Sequence, residues 1–353
     1  MKLYYPKQHY DASQRGQVFP LLKAFIKGAD FTDAQRQAMY SVSETDYNFV
    51  DNLADAEVVV LPMSWNYYVN ENKQHLALEL ITSGAKLNKQ VWLVLLGDVG
   101  LPIPVLQNTI VFRTSGYRRN LPAWHQGMPV FISDPLKAIY NTDALEARDY
   151  SERPRVGFCG LASPNKWDAL KTRCKIALKN LGYVSKLYKP IPEAILAAPY
   201  FRYQCLKPLI ADDRIADNFI LRNKYRAGAE TKATREQTTA EFYKNIKDSD
   251  YVLCTRGAGN FSVRLYETLA MGRIPVYVHT DGLLPLSDKI DWKKHVVWVE
   301  KKEISDIAEK VLDFHKTLNQ EKMQTLCISN RFLWKDYFRI GAFFNKYSKD
   351  VSI

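Results

Sequence analysis

Short runs of consecutive apolar residues alternate along this chain with longer stretches in which apolar residues recur at helical spacing. Unbroken apolar runs suit strands buried on both faces of a parallel sheet, and the longer period suits the helices that cover it. In the first part, Lys2–Tyr5, Glu57–Leu61, Gln90–Leu96, Thr109–Thr114 and Val130–Ile132 predict strands, and Ser13–Lys27 and Leu76–Leu87 predict helices. A polar stretch, Ala144–Pro154, then interrupts the pattern and reads as an interdomain linker. Beyond it, Arg155–Cys159, Tyr251–Cys254, Ile274–His279 and Val296–Val299 predict strands, with helices over Lys166–Asn180, Arg235–Ile246 and Ile304–His315. Repeated strand–helix units predict an α/β fold with parallel sheets. The expected division is 1–150, 151–325 and a terminal segment 326–353, where Phe332, Trp334, Tyr337, Phe338, Phe343 and Phe344 predict a helix packed on a domain surface.

The stretch Tyr251–Pro275 carries the most chemistry. A buried strand runs into the turn Arg256-Gly257-Ala258-Gly259-Asn260, and an amphipathic helix opens near Ser262. Such a junction presents unpaired backbone N–H groups and the positive end of a helix dipole to an anion. Arg256 in the turn and Arg264 in the first helical turn add guanidinium groups suited to a pyrophosphate. Glu267, three residues past Arg264, adds a carboxylate suited to ribose hydroxyls. The same residues also fit a plain structural turn with a surface ion pair. The glycines form neither a GxGxxG fingerprint nor a GxxxxGK[ST] loop. Position favours a nucleotide-diphosphate site, because open α/β sheets bind ligands at the carboxyl ends of their strands.

Composition narrows the rest. With 353 residues, 46% of them hydrophobic, the chain can build two cores. Its 5 cysteines are widely spaced, without a CxxC, and read as reduced core residues of a cytoplasmic protein. No window reaches the ~20 apolar residues of a membrane span, and the N-terminus MKLYYPKQHY has no secretory h-region. The formal net charge of +11 calls for anionic partners. No basic run or motif points to nucleic acid. The remaining readings are a solvated basic surface, or attraction to nucleotide donors and to the inner face of an anionic membrane.

The segment RGAGNFSVRLYETLAMGRIPV, followed by LPLSDKIDW, resembles the exostosin-type glycosyltransferases, whose signature is an RG turn, SxRxxEAL and GxIPV. The matching positions are Arg256, Gly257, Ser262, Arg264, Glu267, Leu269, Gly272, Ile274, Pro275 and Val276, with Leu284-Pro285 and Ile290-Asp291-Trp292 downstream. Thr268 stands where the family commonly has Ala. Upstream, Phe219–Arg222 and Arg155–Gly160 fall where the family has recurring segments. The resemblance implies a GT-B fold, with two Rossmann-like domains facing a cleft and a C-terminal helix crossing back. It also implies inverting transfer of a sugar from a UDP- or GDP-linked donor to a glycan or lipid-linked acceptor, without a bound metal, in surface polysaccharide or lipopolysaccharide assembly.

Inverting transfer needs a clamp for the leaving diphosphate, a base for the acceptor hydroxyl and a site that excludes water. The clamp candidates are Arg256, Arg264, the N–H groups around Asn260–Val263, and Arg222, which equally fits a partner for Asp217. Glu267 would hold the ribose, and Tyr277 and His279 would flank the donor. The candidate base is Asp98, after the strand Gln90–Leu96, a position that also suits a turn-capping aspartate. The loop Trp65-Asn66-Tyr67-Tyr68, which Glu71 and His75 follow, is a candidate acceptor platform, and Arg118 and Arg119 fit either an acidic acceptor or lipid phosphate, or a solvated pair. No DxD motif is present; Asp212-Asp213 lacks its spacing. A non-catalytic exostosin-like subunit that binds a partner transferase or an anionic glycan is the alternative. A phosphorylase that uses pyridoxal phosphate lacks a supporting lysine motif.

Overall fold

The computed structural model describes residues 1–27 and 31–348, and its contacts divide into two compact units. One comprises Met1–Phe131, Leu283–Leu286 and the segment from Asp336; the other comprises Ile132–Gly282 and Ser287–Lys335. The change of unit falls at Phe131–Ile132, upstream of the expected boundary at 150. The return to the first unit falls at Asp336 rather than at 326. The polar stretch Ala144–Pro154 lies within the second unit, where Arg148 Nε donates to Asp250 Oδ1 (2.8 Å) and Tyr150 stacks on His315.

The first unit is built on a parallel sheet of β1 (Lys2–Tyr4), β2 (Asn48–Phe49), β3 (Val58–Val60), β4 (Gln90–Leu95), β5 (Thr109–Arg113) and β6 (His125–Gly127). Its strand order is β2-β1-β3-β4-β5-β6. All three valines of β3 and Val91–Leu95 of β4 are buried, which is why those runs carry no polar alternation. Helix Ile340–Ser348 contributes Phe343 and Phe344 to this core. The Phe344 ring lies 5.1 Å from Phe19, 5.7 Å from Trp92 and 5.3 Å from Phe112.

Three expectations for this unit are corrected. Ser13–Lys27 is not an α-helix but two 3-10 segments, Ala12–Gln17 and Pro20–Ala24; Pro20 removes a backbone donor where a continuous helix would need one. The strand expected at Val130–Ile132 is absent and β6 lies earlier, because Pro129 cannot donate to a ladder. Trp65–Tyr68 is no exposed loop. It forms helix Trp65–Asn70, capped by Ser64, whose Oγ accepts from Tyr67 N at 3.1 Å. Trp65, Tyr67 and Tyr68 are buried, so they offer no stacking platform to a sugar.

The second unit carries β7 (Arg155–Leu161), β8 (Ala216–Arg222), β9 (Tyr251–Cys254), β10 (Ile274–His279) and β11 (Val297–Glu300). All are parallel, in the order β11-β10-β9-β7-β8. Its principal helices are Lys166–Val184, Ala198–Ile210, Lys232–Lys247, Val263–Ala270, Ile307–Lys316 and Gln320–Tyr337. The chain steps from β7 outward to β8 and then returns across β7 to start β9 on its other side. The order of strand addition therefore reverses between β7 and β9, and an open α/β sheet leaves a ligand crevice at the carboxyl ends of such a strand pair. The α/β class with two parallel sheets, expected for a GT-B chain, is borne out unit by unit.

Candidate functional site

β9 delivers the chain to this switch point, and a short turn carries it into helix Val263–Ala270. The turn is held from inside. Gly257 N donates to Phe261 O (3.1 Å), and buried Asn260 is tied to the end of β10: its Nδ2 donates to Thr280 O (2.9 Å) and its Oδ1 accepts from Thr280 Oγ1 (2.7 Å). Ser262 takes the N-cap position with extended backbone (φ −126°, ψ 114°), yet its side chain caps no helix N–H. The opening of the helix thus lacks the side-chain acceptor that ordinarily satisfies it. Asn260 supports the turn, Gly257 closes it through Phe261 O, and Ser262 begins the helix.

Arg264 binds across the switch point. Its Nη2 donates to Cys159 O of β7 at 2.7 Å and its Nη1 to Leu253 O of β9 at 3.3 Å. The pairing between those strands runs only over Val156↔Tyr251 and Gly157↔Val252, so the guanidinium takes up carbonyls where the ladder has stopped. It stacks over the Phe158 ring at 4.3 Å, a favourable cation–π arrangement for a desolvated guanidinium. Gly160 leaves room for it, since a Cβ there would meet Nη2 at 2.8 Å. Burial pulls the Arg264 pKa below its ordinary value, opposed by the negative groups around it, Glu267 among them. Its buried Nε has no hydrogen-bond partner among the described residues.

Two further arginines reach the same strand ends. Arg256, buried in the turn, donates through Nη2 to Ala258 O (3.0 Å) and meets Glu193 Oε2 at 3.4 Å. Arg202, on helix Ala198–Ile210, donates to Leu161 O (3.1 Å) and to Arg256 O (3.4 Å), bracing the end of β7 against the turn. Arg222 closes β8. It pairs with Glu241 and donates to Thr238 O (3.0 Å), not with Asp217. The sequence does not reveal Arg202 or Glu193, which lie 54 and 63 residues from Arg256 and in no motif.

Glu267 faces this cationic group from the helix. Tyr243 Oη donates to its Oε1 at 3.4 Å. Burial raises its pKa, while Arg264, the Tyr243 hydrogen bond and Arg226 act to lower it. A folded pKa above the ordinary 4.5 means that, over the window between the two, the native state keeps a proton the unfolded chain has released. Stability therefore falls as pH rises through that window. Glu267→Gln is expected to gain stability relative to the parent as pH rises above the ordinary carboxylate value of 4.5, and to level off once the folded-state carboxyl has ionised. Urea midpoints measured across that range check it, and a difference independent of pH would refute it.

Elsewhere the candidates disperse. Tyr277, on β10, is buried with its ring 5.3 Å from Trp298, and burial raises its pKa. His279 Nδ1 lies 3.1 Å from Glu300 Oε2. Asp98 is exposed just past β4 in the first unit, where its carbonyl accepts from Ser115 Oγ (2.8 Å). Glu71 bonds Gln14, and His75 is exposed on the first turn of helix Gln74–Lys86. Arg118 donates to His125 O, Arg119 follows it in a 3-10 turn, and Asp212 pairs with Arg214. The cysteines are unpaired; Cys159, Cys205, Cys254 and Cys327 are buried and Cys174 is exposed. Among the described residues, no group of three or more His, Cys, Asp or Glu side chains is placed to hold a metal ion.

Residues 207–313, which include β8, β9, the arginine turn and β10, match the Exostosin GT47 domain. Exostosin-1 of Drosophila melanogaster is 29% identical over 104 residues, covering 30% of this chain and 13% of that protein. A Physcomitrium patens protein named "Probable glucuronosyltransferase 47 A" is 36% identical over 84 residues, 24% of this chain and 18% of its own length. The chain thus spans less than a fifth of these curated relatives. Among solved structures, a glycosyltransferase from Rickettsia africae ESF-5 aligns with a TM-score of 0.38 at 11% identity, covering 99% of this chain and 97% of that one. TarM aligns with a TM-score of 0.35 at 10% identity, over 84% of this chain and 55% of its own.

Proposed function

We propose an inverting, metal-independent transfer of sugar from a UDP- or GDP-linked donor to a glycan or lipid-linked acceptor, a reading supported by the match of residues 207–313 to the Exostosin GT47 domain. The observation that carries this reading is the set of arginines gathered at the carboxyl ends of β7 and β9 beside a half-buried carboxylate, Glu267. As the glycosidic bond breaks, negative charge grows on the departing diphosphate, and fixed cations stabilise it best where water is excluded. Arg256 and the open N–H groups at the start of helix Val263–Ala270 would receive the phosphates. Arg264, its Nη groups engaged by backbone, would act through its charge and by holding β7 against β9. Glu267 would accept the ribose hydroxyls, Arg222 would border the site, and Tyr277 would back it. Asp98 is the proposed base. The setting proposed is the cytoplasm, in the assembly of surface polysaccharide.

Glu193 supports the anion reading from the other direction, because its carboxylate already sits against Arg256. A diphosphate would have to displace it. Calorimetric titration with UDP and with GDP is expected to show binding of at least one, and Glu193→Gln is expected to tighten it severalfold by removing the internal competitor. If neither nucleotide binds to the parent or to the variant, the donor-site reading fails.

A further inference from the structure

Helix Lys166–Val184 turns its apolar side outward. Asn165 starts it, with Oδ1 accepting from Trp167 N (2.9 Å) and Asp168 N (3.2 Å), and of its 19 residues only Ala169 is fully buried. The inward face is Ala169, Ile176 and Tyr183. On the opposite side Trp167 (75% exposed), Leu170 (50%), Leu178 (68%) and Leu181 (64%) follow one another at helical spacing, with Cys174 between them. Val184 and Leu187 extend the exposed apolar surface past the helix end. Single exposed apolar residues are ordinary; a continuous stripe of them is not.

The charges along this stripe are of one sign. Lys171, Lys175 and Lys179 form a row at i, i+4 and i+8 on one flank, and Lys166 and Arg173 lie on the other. Lys186 and Lys189 follow the helix, and Asp168 is the sole acid from 166 to 189. An apolar stripe bordered by lysines, with a tryptophan at one end, matches the two layers of an anionic leaflet: acyl chains below, phosphates at the level of the lysine heads. A second copy suits it less well, since a symmetric antiparallel pair of these helices would set lysine row against lysine row. No helix among the described residues is long and apolar enough to cross a membrane, so the contact is peripheral.

We propose that the outward face of helix Lys166–Val184 docks this protein on an anionic lipid bilayer, with Trp167, Leu170, Leu178 and Leu181 entering the headgroup–acyl boundary and Lys171, Lys175 and Lys179 on the phosphates. The proposal is independent of the donor-site reading, and vesicle binding and nucleotide binding are separate measurements. Co-sedimentation of the full chain with phosphatidylcholine vesicles, with and without phosphatidylglycerol, tests it. The parent is expected to sediment with the anionic vesicles, less so as salt is raised, and to stay in solution with phosphatidylcholine alone. Combined Lys171→Gln, Lys175→Gln and Lys179→Gln should weaken partitioning roughly a hundredfold. Leu178→Ser with Leu181→Ser should weaken it at least about tenfold. All these side chains are exposed, so both variants should keep the parent's circular dichroism. Absence of binding, binding equal in the parent and both variants, or a parent dimer that the leucine variant dissolves would each overturn the proposal.

Discussion

Arg264→Ala is expected to destabilise the second unit by about 3 kcal/mol and, on the proposed function, to abolish measurable sugar transfer. The stability loss follows from what the guanidinium holds. Without it, Cys159 O and Leu253 O lose their donors at the point where β7 and β9 cease to pair, and the Phe158 ring loses its partner. Each buried carbonyl left without a donor costs about 1–3 kcal/mol, partly offset because a desolvated charge also disappears. Glu267 would lose its chief neighbouring cation, so its pKa should climb further and its carboxylate become harder to keep ionised for a ribose. Arg264→Met separates the contributions, restoring volume over Phe158 while leaving both carbonyls unpaired, and should recover about half of the loss. For a unit of this size the alanine variant should melt roughly 6–12 °C lower. Thermal unfolding within a degree of the parent would show that the strand ends need no such bridge.

What could be read from the residues alone divides along a physical line. β9 and β10 were legible to the residue, Tyr251–Cys254 and Ile274–His279, because both are unbroken apolar runs bounded by turn signals. β8 was not. It is an edge strand whose burial alternates weakly, and only Phe219–Arg222 stood out. The turn, Arg256, Arg264 and Glu267 lie within one local motif and were found together. Arg202, Glu193 and Tyr243 join them only through the fold, so no local pattern announces them. The sequence predicts a helix over Lys166–Asn180 without saying which side faces in. Only the packing of Ala169 against the unit reveals that the leucines face out. Aromatic spacing predicts one C-terminal helix where the structure has two, Gln320–Tyr337 and Ile340–Ser348, and the partners of Phe343 and Phe344, such as Phe112 and Phe19, lie more than two hundred residues earlier in the chain and are seen only in the structure.

Arg256→Ala should act on chemistry more than on folding. The guanidinium meets Glu193 Oε2 and Ala258 O, and the side chain is 4% exposed against 15% for Glu193. After its removal, Glu193 remains anchored through its own backbone, since Asn180 Nδ2 donates to its carbonyl (2.8 Å) and its N–H donates to Asn180 Oδ1 (3.0 Å). The Glu193 side chain, 15% exposed, keeps access to water, so the stability cost should stay near 1 kcal/mol. Turnover is a different matter. A cation placed where charge develops contributes more to the transition state than to the bound donor, so kcat should fall about 10²–10³-fold while nucleotide affinity falls roughly tenfold. Arg256→Lys should rescue little of either, because a single ammonium cannot span the turn carbonyl and a phosphate as a planar fork does. Glu193→Gln combined with Arg256→Ala should show no affinity gain over Arg256→Ala alone, since the competing carboxylate matters only while its cation is present. A kcat preserved in Arg256→Ala, or a Glu193→Gln effect that persists without Arg256, would mean the diphosphate does not bind at this turn.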